Sequence, residues 1–514
     1  MKQTIQLLTI AVLFFWTINT QGQKFDFEKA TITSVGKDIR SNRITVVELT
    51  KLYLSRIDSL NPLVNAMLVI NPEALALARK ADLELKAGLD RGKLHGIPVI
   101  LKDNIDTHDK MPTTAGSRAL AESIALNDAF IVEKLREAGA IIIGKANLSE
   151  WANFRSSKSS SGWSGVGGQT NNPYKLDCNP CGSSAGSGVA ISSDFCLIAI
   201  GTETNGSIVC PSNANGVVGI KPTVGLLSRS GIIPISYTQD TPGPMARNVT
   251  DAAISLGFMT GLDLKDSITK ESEGKYFEDY TQFLQKDGLK GKRIGIFQPP
   301  LGKMKSVDSL FFKAVDYMKS QGAEFVDVST LGTKDTGKSS FEVLLYEFKD
   351  GLNKYFAGLN PNQKIKNIED LFAFNASDNI ETGVFDQKLI ESAMKKGNIT
   401  EKEYLEAKAK MHQEMREEGI DKVMNELQLD AIIAPTGSPA WKTDWKKGDT
   451  FHIGSSSPAA IAGYPNITVP MGFVGELPVN ISFFGRAYSE PILLSIVYAF
   501  EQGTMHRKSP KFLK

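Results

Sequence analysis

The chain of 514 residues has only five histidines and four cysteines, and its charge is nearly balanced, with 58 Lys and Arg against 57 Asp and Glu. Each scarcity closes off a class of function. A net charge of +1 leaves no electrostatic footprint for nucleic acid. His95, His108, His412, His452 and His506 fall in no H-E-x-x-H or related pattern, so neither a metal nor a cofactor is expected. Cys178 and Cys181 form a C-x-x-C, yet no second pair and no nearby histidine completes a zinc site. The surroundings of a thioredoxin motif are missing too. We treat Cys178, Cys181, Cys196 and Cys210 as packing residues, with a local disulfide open to an exported chain. Neither an α/β-hydrolase fold nor a nucleoside-triphosphate function is expected.

Long apolar runs are scarce as well. Leu7 to Trp16 follows Lys2 and is too short to span a bilayer comfortably. With the small residues around Thr20-Gln21-Gly22 it reads as a secretory signal peptide over residues 1–22. An uncleaved membrane anchor is the competing reading. The mature chain, residues 23–514, is expected to be exported, periplasmic or secreted, with no stable membrane association after cleavage.

What remains is an ordinary globular composition, long enough for a large core. Thr45 and Glu48 form a capping box ahead of Leu49, Leu52, Tyr53 and Ile57, which predicts a helix. Pro72 to Leu85, closed by Gly88, predicts another, and Asp128 opens a third that ends near Gly139. Ile97 to Leu101 and Ile141 to Ile143 are short, fully apolar runs that predict buried strands. This alternation predicts an α/β fold with a mixed, mostly covered sheet. Residues of about 261–429 are richer in Lys and Glu and form a helical subregion. It carries strand signals at Arg293–Phe297 and Phe325–Val328, and a long helix is expected over Lys402–Leu427. Strands return in 430–514, before a last helix over Ile492–Phe500, capped by Ser489 and closed by Gly503.

The densest chemistry lies between Gly162 and Ser207. Two serine-bearing glycine turns, Cys181 to Gly188 and Gly201 to Ile208, flank the apolar segment Phe195 to Ile200. On their own the turns could be structural or could gather N–H groups around an anion. A serine hydroxyl needs a base, and a buried lysine can be one once its pKa falls. Lys102 ends an apolar strand, so it is a candidate; the alternative is an ion pair with Asp103 or another carboxylate. Asn205 could touch substrate, or could simply tolerate a turn with φ > 0.

Taken together, three motifs resemble the amidase signature family: Gly96-Ile97-Pro98-Val99-Ile100-Leu101-Lys102-Asp103-Asn104, Gly182-Ser183-Ser184-Ala185-Gly186-Ser187, and Gly201-Thr202-Glu203-Thr204-Asn205-Gly206-Ser207-Ile208. Gly144 to Trp151 and Ala462 to Pro470 extend the similarity over nearly the whole mature chain. The resemblance implies one large mixed sheet covered by helices on both faces, with a catalytic core over about 90–240 inside a single domain, 23–514. It implies Ser207 as acyl-forming nucleophile, Ser183 as bridging serine behind a cis peptide bond, and Lys102 as base. The backbone N–H groups of Thr204, Asn205, Gly206 and Ser207 would form the oxyanion hole. Val209-Cys210-Pro211 and Asn179-Pro180-Cys181 are similar to the peptide-amidase branch. The expected partner is a small-molecule or peptide amide, hydrolysed to acid and ammonia. Two rivals are a glutamine-hydrolysing component of an amidotransferase, which export disfavours, and a non-catalytic amide- or peptide-binding protein, which the intact Lys102, Ser183 and Ser207 disfavour.

Overall fold

The computed structural model describes residues 25–333 and 335–514, so the signal segment over 1–22 lies outside the described residues. An eleven-stranded mixed sheet, flanked by helices, organises them. Its strands are β1 (Met67–Ile70), β2 (Pro98–Lys102), β3 (Ile141–Ala146), β4 (Ile198–Glu203), β5 (Val218–Lys221), β6 (Thr241–Ala246), β7 (Arg293–Phe297), β8 (Glu324–Val328), β9 (Ala431–Pro435), β10 (Asn466–Val474) and β11 (Leu477–Phe484). Across the sheet they run β1-β3-β2-β4-β6-β5-β10-β11-β9-β7-β8. Strands β3, β2 and β4 are parallel, as are β9, β7 and β8. The strands from β4 through β6, β5, β10 and β11 to β9 pair antiparallel. Parallel neighbours need crossovers, and the crossovers put helices over the sheet. That is why every residue of β2, β3 and β4 is buried and why each strand opens with an unbroken apolar run.

Local signals account for the early helices. In α1 (Val46–Val64) the Thr45 hydroxyl accepts from Glu48 N–H at 3.1 Å and the Glu48 carboxylate accepts from Thr45 N–H at 2.9 Å. Helices α2 (Ala74–Lys86) and α3 (Phe130–Glu137) both stop just before a glycine of positive φ, Gly88 and Gly139. Helix α4 (Ala185–Ser192) follows the first glycine turn and α5 (Val209–Ala214) the second. Gly186 lets α4 press onto the chain beside β1 and β3: a Cβ there would sit 2.3 Å from the Ala66 carbonyl oxygen.

The structure departs from expectation at two helices, and one sequence pattern calls for a structural answer. Glycine spacing of the phosphate-loop kind does occur, at Gly332-Thr333-Lys334-Asp335-Thr336-Gly337-Lys338-Ser339, between β8 and α6 (Thr336–Ala357). Carboxylates occupy it: Glu414 accepts from the Thr333 and Thr336 hydroxyls at 3.0 and 2.5 Å, and Lys338 pairs with Asp335 at 2.8 Å. The Thr333 and Thr336 hydroxyls and the Lys338 amine are thus already bonded to carboxylates of the chain. The long helix expected over Lys402–Leu427 is α7 (Lys402–His412) and α8 (Asp421–Glu426) joined by wider π-helical turns over Gln413–Ile420. The last helix, α10, spans Glu490–Thr504 after α9 (Ser457–Ala462). It runs through Gly503 and ends at Met505, φ 47°. Gly503 is there for space, since a Cβ would collide with Tyr317, and the Ser489 hydroxyl bonds Arg486 O rather than capping. Among the described residues no helix is long and apolar enough to cross a membrane.

Candidate active site

Strand register builds the site. Parallel pairing sets Leu101 of β2 against Ile200 of β4, so the two strands end side by side. Lys102 closes β2, and Thr202 lies near the end of β4. Lys102 is fully buried, with Nζ 2.7 Å from Ser183 Oγ, 2.8 Å from Thr202 Oγ1 and 3.2 Å from Thr202 O. Asn104 also donates to Thr202 Oγ1, at 3.0 Å. The alternative ion pair with Asp103 is not formed; that carboxylate is bonded to Thr114 instead. Burial lowers the Lys102 pKa from 10.5 to about 7, against the opposing pull of Asp240 and Glu203. A neutral amine has two N–H groups and one lone pair. The two contacts to Thr202 can take both N–H groups, which leaves the lone pair for the Ser183 hydroxyl.

Two turns meet at Lys102. The Gly182–Ser183 peptide is cis, as the resemblance implies. Ser184 N–H donates to the Ser207 carbonyl at 3.1 Å, which ties the first turn to the second. A disulfide, Cys181–Cys210, clasps them again, 29 residues apart in sequence. The C-x-x-C is therefore split, because Cys181 pairs across space and Cys178 stays free and buried. Gly182 to Gly186 also has G-x-S-x-G spacing around Ser184. The structure removes that serine from consideration: its buried hydroxyl exchanges hydrogen bonds with the Thr202 backbone, at 3.1 and 3.2 Å.

The second turn is held from below. Glu203 accepts from Ile208 N–H at 2.8 Å and Val209 N–H at 3.0 Å. Thr204 Oγ1 donates to Asp240 at 2.6 Å, and Asp240 in turn accepts from the amides of Ile235 and Ser236. Burial raises the Asp240 pKa to about 6. Among the described residues no acceptor takes the N–H groups of Asn205, Gly206 or Ser207. The positive φ of the turn falls on Gly206, at 85°, not on Asn205. The Asn205 side chain is engaged by protein, accepting from Ser456 at 2.7 Å and donating to Ser457 at 3.2 Å. These bonds tie the second turn to a remote segment.

Ser183, Thr204, Asn205, Gly206 and Ser207 line one cleft of about 470 Å³, with Lys102 behind Ser183. No direct bond joins the Ser183 and Ser207 hydroxyls among the described residues; such contacts commonly tighten only when substrate binds. Thr202, Asn104, Asp240 and Cys210 are the supporting residues that sequence reasoning did not assign to the site. Thr202 stands inside the glycine motif and could have been noticed, whereas Asp240 arrives from β6's approach with no local signal.

The clasp has a measurable consequence. Closing a loop of 29 residues restricts the unfolded chain by about 3–4 kcal/mol in the loop-entropy account. A variant with Cys181→Ser and Cys210→Ser is therefore expected to unfold at a lower temperature and to lose activity as the two turns drift. Calorimetry with and without reductant checks this: wild type should shift on reduction and the variant should not.

A mixed sheet carrying a buried lysine beneath two glycine turns defines an amide hydrolase of the amidase signature class, and the chain belongs to the Amidase family, whose model matches residues 48–494. It is similar to the native peptide amidase of Stenotrophomonas maltophilia, with 44% identity and a TM-score of 0.91 over 95% of this chain and 99% of that one. A probable amidase of Arabidopsis thaliana is 41% identical over 502 residues, covering 95% of this chain and 93% of the relative. One component of the glutamyl-tRNA(Gln) amidotransferase of Carboxydothermus hydrogenoformans is 33% identical over 491 residues, covering 93% and 98%.

Proposed function

We propose that this enzyme is an exported amidase that hydrolyses a C-terminal peptide amide to the free acid and ammonia through Ser207, Ser183 and Lys102. The observation that carries the reading is the 2.7 Å contact between Lys102 Nζ and Ser183 Oγ, fully buried and at the floor of the cleft that holds Ser207. Likeness to a peptide amidase supports the substrate class, and the amino-terminal apolar segment supports export.

Neutral Lys102 takes the Ser183 proton while Ser183 takes that of Ser207, so the Ser207 oxygen attacks the carboxamide carbon. The oxyanion that forms lies against the N–H groups from Thr204 to Ser207, each worth about 3–4 kcal/mol in comparable holes. The relay then delivers its proton to the leaving nitrogen and ammonia departs. Water attacks the acyl-enzyme by the same relay, and the acid is released.

Ammonia release from a panel of peptide amides, small aliphatic amides, aryl amides and glutamine tests the reading. Release from peptide amides is expected, and glutamine as the only substrate would favour the amidotransferase role instead. The working form of Lys102 is deprotonated, so kcat/KM should rise with pH through about 7 and flatten above it. A profile flat from pH 5 to 9 would contradict the base assignment.

A further inference from the structure

The cleft above Ser207 is walled mainly by apolar groups. No Asp, Glu, Lys or Arg lines it among the described residues, while Phe154, Ile235, Leu344, Phe451 and Ile453 do. One wall comes from an irregular segment, Trp441–Ser456, that the amide chemistry leaves without a role. This segment is fastened at intervals to the chain around the two turns and to the second turn itself. Asn179 N–H donates to Trp441 O at 2.7 Å, just before Cys181. Asp449 accepts from the Ser161 N–H at 3.0 Å and from its hydroxyl at 2.5 Å. Ser456 and Ser457 hold the Asn205 side chain on the nucleophile turn. A wall pinned at three points keeps its place relative to the reacting atoms.

Phe451 is the residue this wall presents. It lines the cleft, its ring lies 4.6 Å from that of Trp441, and it is 52% exposed. Its ring packs against Trp441 on one side, and about half of its surface meets water. An apolar group set against that free face removes water from both surfaces, at about 25 cal/mol per Å². A charged group placed there would give up part of its water with no Asp, Glu, Lys or Arg lining the cleft to pair with, His452 being the titratable side chain beside Phe451.

We infer that Phe451, backed by Trp441, is a specificity-determining residue that receives the apolar or aromatic side chain of the last residue of a peptide amide. The inference rests on the amide-hydrolysis reading above. Its consequence is selection by side chain: peptide amides ending in Phe or Leu over those ending in Gly, and both over those ending in Asp. Free glutamine, which carries an ammonium and a carboxylate close to its amide, fits such a wall poorly.

The test compares kcat/KM of wild type, Phe451→Ala and Phe451→Tyr on N-acetylated dipeptide amides ending in Phe, Leu, Gly or Asp. Wild type should prefer the Phe amide over the Gly amide by about tenfold or more, the scale on which apolar pockets discriminate. Phe451→Ala should reduce that ratio about tenfold, mostly through KM, and Phe451→Tyr should restore it. An unchanged ratio in Phe451→Ala, or a wild type with no preference, overturns the inference while leaving amide hydrolysis intact. Absence of hydrolysis of every amide by wild type would instead bring down the reading on which it rests. Unchanged melting temperatures of the variants confirm that each measurement is made on folded protein.

Discussion

Ser207→Ala is expected to lower kcat for amide hydrolysis by about four to six orders of magnitude while the protein stays folded, the range seen when a serine nucleophile is removed from an otherwise complete site. The turn does not depend on the hydroxyl for its shape. Glu203 holds the amides on its far side, Thr204 is tied to Asp240, the glycine of positive φ is Gly206, and Cys210 is clasped to Cys181. Alanine therefore removes an oxygen without moving the N–H groups around it. A fluorophosphonate probe should label wild type at Ser207 and leave the variant unmodified, and the variant's melting curve should match that of wild type. Residual hydrolysis within tenfold of wild type would refute the assignment, and adduct formation on Ser183 would move the nucleophile to the first turn.

Lys102→Arg separates a base from a mere cation. Arginine keeps the charge and can still reach Ser183, but its guanidinium stays protonated at every working pH. If Lys102 acts by accepting a proton, the arginine variant should be as inactive as Lys102→Ala, with kcat down by at least about 10²–10⁴-fold and no recovery up to pH 9. If the positive charge were what mattered, the arginine variant would retain much of its activity. Lys102→Met carries a second signature, in stability. The folded protein holds Lys102 with a pKa of about 7, below the ordinary 10.5, so between those values it binds fewer protons than the unfolded chain. Stability from this group therefore rises with pH across that window and is lowest at about pH 7 and below. The methionine variant should gain stability over wild type most at pH 7 and least near pH 10.5. A gain independent of pH would show that the lysine is not held neutral.

Much of the fold is legible because it is written in local patterns. The capping box at Thr45 and Glu48, the glycine stops at Gly88 and Gly139, and the unbroken apolar runs of β2 and β3 each depend on residues within a few positions of one another. The C-terminal helix is less legible. A glycine near a helix end ordinarily stops it, yet Gly503 continues the helix because Tyr317 occupies the space a side chain would need. The phosphate-loop spacing at Gly332 to Ser339 fails for a similar reason, since Glu414, about eighty residues downstream, is bonded to its Thr333 and Thr336 hydroxyls.

The sequence by itself determined the class of chemistry. Two serines on glycine turns and a lysine at the end of an apolar strand are each open to a structural reading alone; it is the resemblance of the three motifs to a known family that implies amide hydrolysis and the roles of those residues. Their resemblance to a known family also identifies the sheet that must carry them. Only the tertiary structure decided the state of those residues. Whether Lys102 is an ion-paired cation or a neutral base depends on the solvent around Nζ, and that follows from burial beside the neighbouring strand β4 and under the turns. Which cysteine pairs with Cys181 depends on how the two turns meet: Cys210, 29 residues away, is bonded to it, while Cys178, three residues away, packs nearby and stays free. The place of Asn205 depends likewise on Ser456 and Ser457, some 250 residues away. Local patterns encode which residues turn and which are buried; distances between remote segments, and the electrostatics that follow from them, exist only once the sheet has closed.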